Sequence, residues 1–209
     1  DLADLLGDLG AEGGGRALDV ATGGGHTALA LARRGYEVTA GDVSGRMLEH
    51  ARRLAQEAGF GIETRLFPAE AMPFADASFD VVSARVAPHH FSSPGKFVEE
   101  AARVLRPGGR RVLIDGSVPD DDPATEAWLH EVEKLRDPSH VRALRREEFA
   151  QLFAQAGAPV TKTAGYRLEV GLEELLRASM TAPPDADDVR RLLTADVDRN
   201  DTGMMTTRI

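Results

Sequence analysis

Asp19 and Asp42 flank a run of glycines, Gly23 to Gly25, at separations that suit a nucleoside-bearing cofactor. Asp42 stands about twenty residues after the glycines, where nucleotide-binding βαβ units place a carboxylate on a ribose. Gly23, Gly25 and Ala28 alone satisfy G-x-G-x-x-A, in which glycines let the backbone approach a pyrophosphate at a helix N-terminus; that much fits an NAD(P)-dependent oxidoreductase. Asp19, just ahead of the glycines, would set a second negative charge against a pyrophosphate. A cationic ligand accepts that charge. S-adenosylmethionine carries a sulfonium and an ammonium, a ribose diol for Asp42, and a carboxylate for the helix N-terminus after Gly25. The charges match it better than NAD, and a non-catalytic protein that binds the same cofactor would use the same residues.

A second group could move protons. His89 and His90 sit just past a strand tip, and an imidazole is half-ready as a base at neutral pH. His140, in Asp137-Pro138-Ser139-His140, could close over the same chemistry. A metal site from His89, His90 and Asp115 or the Asp120 to Asp122 run is set aside, because that acidic run reads more simply as a helix start. Trp128, the only tryptophan, lies with Leu129 and Val132 and reads as packing rather than a cage for a quaternary ammonium.

The elements that must hold these residues alternate strand and helix. Arg16 to Ala21 and Tyr36 to Ala40 read as strands around a helix that follows the glycines. Ser44 is a candidate N-cap for a helix carrying Met47, Leu48, Ala51, Leu54 and Ala55, ended by Gly59. Ile62 to Leu66 and Phe79 to Ala84 read as strands, Ser93 to Leu105 as a helix stopped by Arg106-Pro107-Gly108-Gly109, and Arg111 to Asp115 as a fifth strand. Beyond it the spacing predicts helices from Asp122 to about Leu135 and from Glu147 to Ala156, a long strand from Val160 to Val170, one or two helices about Pro183-Pro184, and an edge strand over Thr202 to Ile209. Asp1 to Leu9 carries a helical stripe. The strand ends near Asp19, Asp42, Leu66 and Ala84 should meet where an open sheet binds ligands.

The 209 residues, 42% hydrophobic, can bury a full core, and length favours one domain. A net charge of -9 argues against nucleic acid as substrate. Arg103, Arg106, Arg110 and Arg111 read as solvated element ends. No run approaches the roughly 18 apolar residues that span a bilayer, and no basic-then-apolar leader is present, so a cytoplasmic enzyme is the expectation. The absence of cysteine excludes thiol nucleophiles and disulfides.

Four stretches, LDVATGGGHTALALA, VTAGDVSGRML, AEAMPFADASFDVVSARVAPHHF and EEAARVLRPGGRRVLID, in this order resemble the class I S-adenosylmethionine-dependent methyltransferases. Within them the chain is similar to the ubiquinone/menaquinone-biosynthesis-like branch, methyltransferase type 11, and Glu133 to Arg142, EKLRDPSHVR, extends the likeness. The resemblance implies an α/β, Rossmann-like, doubly wound sheet of seven strands in order 3-2-1-4-5-7-6, mostly parallel with strand 7 antiparallel. It implies one methyltransferase domain over 1–209, with a cofactor core over 11–118 and lid helices and sheet-completing segments over 119–209. Asp19, Ala21, Gly23 and Gly25 match the motif that holds the methionine part of the cofactor, with His26 and Thr27 near its carboxylate. Asp42 matches the acid on the ribose hydroxyls, Val43 and Met47 would flank the adenine, the Ala69 N–H would meet an adenine nitrogen, and Arg85 follows the strand whose backbone meets the ammonium. Ala21 replaces a frequent glycine. Pro68 replaces a frequent aspartate, for which Glu70 would substitute. The activity implied is in-line methyl transfer to a small molecule, with S-adenosylhomocysteine as product. No Asn-Pro-Pro-Tyr follows strand 4, which counts against amino-group methylation of adenine or glutamine and leaves carbon and oxygen acceptors open. Nothing in the sequence sets an oligomeric state.

Overall fold

A computed structural model describes residues 14–118, 122–165 and 170–199. Its first compact unit comprises Asp1–Gly116 and Ala150–Pro159, its second Ser117–Phe149 and Val160–Ile209. The first unit is built on β1 (Arg16–Val20), whose Ala17, Leu18 and Val20 are buried, as the apolar run of a strand covered on both faces requires. The glycine loop leads into α1 (His26–Arg33), then β2 (Glu37–Asp42), α2 (Gly45–Glu57), β3 (Glu63–Leu66) and β4 (Phe79–Arg85). A 3₁₀ turn (Pro88–His90) precedes α3 (Pro94–Val104), and β5 (Leu105–Ile114) follows it directly. Ser44 caps α2, its Oγ accepting from the Met47 N–H at 3.4 Å. Ala28, Leu31 and Ala32 of α1 pack on Ala17, Val38, Ala40 and Val81 of the sheet.

The strands are all parallel, in order β3-β2-β1-β4-β5. The chain winds outward from β1 through β2 to β3, then returns to β4 on the other side of β1. Beyond the carboxyl ends of β1 and β4 this reversal leaves the crevice that open α/β sheets use for ligands.

The sheet has five strands among the described residues, not seven, and none is antiparallel. Residues 160–165, expected as part of a strand, join no ladder and are exposed, so no buried face rewards an alternating pattern there. Residues 166–169, the expected strand over Thr202 to Ile209 and the expected helix over Asp1 to Leu9 lie outside the described residues. A second difference concerns β5. Phe79 pairs with Leu105 and Val81 with Arg110, so Arg106 to Gly109, read from the sequence as a break, is a bulge within one strand. Gly108 supplies it with a φ of 77°.

The second unit holds α4 (Pro123–Arg136), α6 (Leu172–Ala178) and α7 (Pro183–Arg199), and α5 (Arg146–Gln155) is divided between the units. Asp122 starts α4 by accepting from the N–H groups of Ala124 and Thr125 at 3.1 and 3.0 Å. Val132, Leu176, Ala186, Val189 and Leu193 form its core, with Trp128 packed against them.

Candidate active site

Asp19 is the penultimate residue of β1 and the register partner of Ser83 on β4. Its Oδ1 accepts from the Ser83 hydroxyl and its Oδ2 from the Thr22 hydroxyl, each at 2.7 Å, and the Ala28 N–H of α1 also donates to it. Only 1% of the residue is exposed. Burial pushes the carboxyl up to about 6, against the opposing pull of those hydrogen bonds and of the Arg85 guanidinium. A buried, incompletely compensated carboxylate at the switch point favours a cation.

Asp42 ends β2 and is 8% exposed. One carboxylate oxygen accepts from the Gly23 N–H and the other from the Ser44 N–H, both at 2.9 Å. The acid thus ties the glycine loop to the start of α2, and the Thr22 N–H, bonded to Gly41 O at 2.8 Å, adds a second tie. Each oxygen keeps a further lone pair for a hydroxyl. Close approach explains two glycines. A Cβ on Gly41 would lie 2.1 Å from the Phe67 ring, and one on Gly25 would lie 2.6 Å from the Ala51 Cβ. At Gly23 a Cβ would meet nothing within 4 Å, so the loop presents open space where a ligand would lie. Ala21 adopts φ 52°, the left-handed region, so the alanine that replaces a glycine carries backbone strain on the order of 1 kcal/mol.

Beside Asp42 the surface turns apolar. Val43 is 71% exposed, Met47 36%, and Leu66, the register partner of Asp42 on β3, 65%. Ala69 is buried and Pro68 exposed in the loop that follows. Glu70 serves another end: its Oε1 accepts from the Ser92 hydroxyl at 2.9 Å and the Ser93 N–H at 3.2 Å, at the entry to α3. The cluster Glu100–Arg103 grips the same loop, Glu100 accepting from the Met72 N–H and Arg103 donating to the carbonyls of Met72 and Phe74.

At the far end of the crevice Arg85 closes β4, and its Nε donates to the buried Thr27 hydroxyl at 3.0 Å. His26 is exposed at the start of α1. His89 is 8% exposed, and Asp115, one residue past β5, accepts twice from it: from the backbone N–H at 2.8 Å and the ring Nδ1 at 2.7 Å. That contact assigns the ring proton to Nδ1 and directs Nε2 away from Asp115. The His90 ring stacks at a tilt against His89, centroids 4.1 Å apart. His140 belongs to the second unit, where it is buried with its ring 5.6 Å from that of His130. Among the described residues no three His, Asp or Glu side chains gather as metal ligands.

The first unit therefore brings together Asp19, Ala21, Gly23, Gly25, Thr27, Asp42 and Arg85, with Val43, Met47 and Ala69 along the β2–β3 side. Sequence reasoning missed Thr22 and Ser83 as partners of Asp19, and Asp115 as the partner of His89. A hydroxyl inside the apolar strand Phe79–Arg85 was the available signal for Ser83. The donors fit the cofactor expected from the sequence: a buried acid for its cations, a fixed carboxylate for its ribose, and an open apolar edge for its base.

A parallel sheet reversing between its first and fourth strands, with a buried acid ahead of a glycine loop and a second acid at the next strand end, is the arrangement of a class I S-adenosylmethionine-dependent methyltransferase. The chain belongs to the methyltransferase type 11 family, whose profile, described as a methyltransferase domain, matches residues 18–113. In sequence it is similar to the uncharacterized methyltransferase YcgJ of Bacillus subtilis, with 41% identity over 140 residues, 66% of this chain and 55% of that protein. The crystal structure of YcgJ superposes with a TM-score of 0.86 at 31% identity, covering 92% of this chain and 82% of that one. The uncharacterized protein YafE of Escherichia coli is 34% identical over 73% of this chain and 74% of its own length. The ubiquinone/menaquinone biosynthesis C-methyltransferase UbiE of Desulfotalea psychrophila is 40% identical over 55% of this chain and 47% of that protein. The chain thus spans about half the length of YcgJ and UbiE in sequence. Family membership does not favour a dinucleotide-dependent oxidoreductase. No helix among the described residues is long and apolar enough to cross a membrane.

Proposed function

We propose that this chain transfers a methyl group from S-adenosylmethionine to a small-molecule acceptor. The buried Asp19 carboxylate, facing the glycine loop that Asp42 holds, carries the reading. When bound, the sulfonium supplies an activated methyl, so the protein need only align, exclude water and manage one proton. Asp19 offers negative charge to the cationic end, with Ala21, Gly23 and Gly25 leaving room for backbone approach. Asp42 accepts the ribose hydroxyls on the lone pairs that Gly23 and Ser44 leave open. Val43 and Met47 cover the base, and the Ala69 N–H reads its edge. His26 and Thr27 stand at the carboxylate side, and the Arg85 backbone at the ammonium side. Glu70 reads the adenine amino group only by turning from its serine partners.

His89, oriented by Asp115, accepts the acceptor's proton at Nε2, and the catalytic roles read from the sequence for His90 and His140 belong to the same proposal. So do the cofactor core over 11–118, the lid role of the later helices, the remaining strands of a seven-stranded sheet, and a cytoplasmic location. The likeness to UbiE and to the 27-O-demethylrifamycin SV methyltransferase of Amycolatopsis mediterranei, 32% identical over 73% of this chain, supports carbon or oxygen as the methylated atom.

Calorimetric titration with S-adenosylhomocysteine, and with NADH in parallel, tests the cofactor. Micromolar binding of the first alone is expected; binding of NADH alone would return the glycine loop to the dinucleotide class. In an acceptor screen, His89→Asn should lower turnover about a hundredfold or more, the range of a general base, while leaving S-adenosylhomocysteine affinity within about twofold. Unchanged turnover would remove His89 from the chemistry.

A further inference from the structure

Within this cofactor reading, the methionyl carboxylate has no charged side chain assigned to it. Arg85 is placed to supply one. Its Nε is taken by Thr27, a buried hydroxyl in the first turn of α1. Its Nη1 and Nη2 hold no hydrogen bond or ion pair among the described residues. The guanidinium is half-buried and near enough to Asp19 to act on that carboxyl, so it lies beside the cofactor crevice. The backbone that carries it is held: Val86, next in the chain, adopts φ 52° and donates its N–H to Ile114 O at 2.7 Å, fixing the turn that ends β4. A side chain anchored at Nε presents its two terminal nitrogens as a fork, the geometry that meets a carboxylate in two parallel hydrogen bonds.

We propose that the Nη1/Nη2 fork of Arg85, anchored by Thr27, binds the α-carboxylate of the cofactor's methionyl group, so that Asp19 and Arg85 read the opposite charges of one amino acid. The inference rests on the S-adenosylmethionine reading and adds a selectivity to it. The site distinguishes the intact amino acid from a nucleoside that lacks it, because removing that group leaves two charged side chains without their partner.

The test is calorimetric titration of S-adenosylhomocysteine and of 5′-methylthioadenosine, which keeps the nucleoside and lacks the amino acid, into the full chain and into Arg85→Met. The substitution should weaken S-adenosylhomocysteine about tenfold or more, as loss of a charged hydrogen-bond pair does, and change 5′-methylthioadenosine by less than about twofold. Arg85→Lys keeps the charge and removes the two-nitrogen fork; it should shift the same ratio in the same direction by a few-fold, and it decides the matter if Arg85→Met fails to fold. Equal weakening of both ligands would make Arg85 a support of the pocket and overturn the proposal, as would an unchanged S-adenosylhomocysteine affinity. Failure of S-adenosylhomocysteine to bind the parent chain would instead overturn the cofactor reading, and this proposal with it.

Discussion

Asp19 is held where its charge is costly, and the pH dependence of folding should report it. The folded carboxyl titrates at about 6 because of burial, whereas in the unfolded chain it returns to ~4. Between those values the folded state keeps a proton that the unfolded state has released, so stability falls as pH rises through that window, by on the order of 3 kcal/mol in all. Asp19→Asn should remove this slope and make the ligand-free protein more stable than its parent at pH 8 by urea unfolding. It should also weaken S-adenosylhomocysteine. A parent curve flat from pH 4 to 6 would show that the buried site is better compensated than its hydrogen bonds suggest. A cation at the site favours the carboxylate form, so ligand affinity should rise from pH 5 to 7.

At the scale of elements, the loop between β3 and β4 is held by α3 as well as by the sheet. Arg103 donates to the carbonyls of Met72 and Phe74 and to Glu100 and Asp76, while Glu100 takes the Met72 N–H. Arg103→Ala leaves two carbonyls and two carboxylates without this donor and should cost about 2 kcal/mol in urea unfolding. Because the same loop carries Ala69, S-adenosylhomocysteine should bind several-fold more weakly. Lost stability with unchanged affinity would separate this loop from adenine recognition.

For the molecule as a whole, a ligand that binds only the folded state stabilises it by mass action. S-adenosylhomocysteine at a hundred times its Kd should add about 2.7 kcal/mol, which for a chain of this size raises the melting temperature by about 5 to 10 °C. Hydrogen exchange should show the protection at the loops after β1, β2 and β4. Protection confined to α6 and α7 would place the ligand elsewhere.

Much of this was legible in the sequence because the relevant signals are local. Asp19, Gly23, Gly25 and Asp42 lie within one strand–loop–helix–strand unit, where spacing along the chain is nearly spacing in space, and Ser44 and Asp122 mark their helix starts by short-range capping. The Arg106-Pro107-Gly108-Gly109 stretch misled for the same reason: its glycines and proline announce a turn, but whether it ends a strand or bulges out of one depends on the pairing of β4, more than twenty residues away. Ser83 on Asp19, Asp115 on His89 and Thr27 under Arg85 are contacts between residues 26 to 64 positions apart. Residue types and their local periodicity set the order of the elements and brought the two acids to the glycine loop. The parallel register of β1, β4 and β5 alone decided which hydroxyl, carboxylate and guanidinium would meet, because sequence pattern records the face a side chain occupies and not the distant strand that will lie beside it.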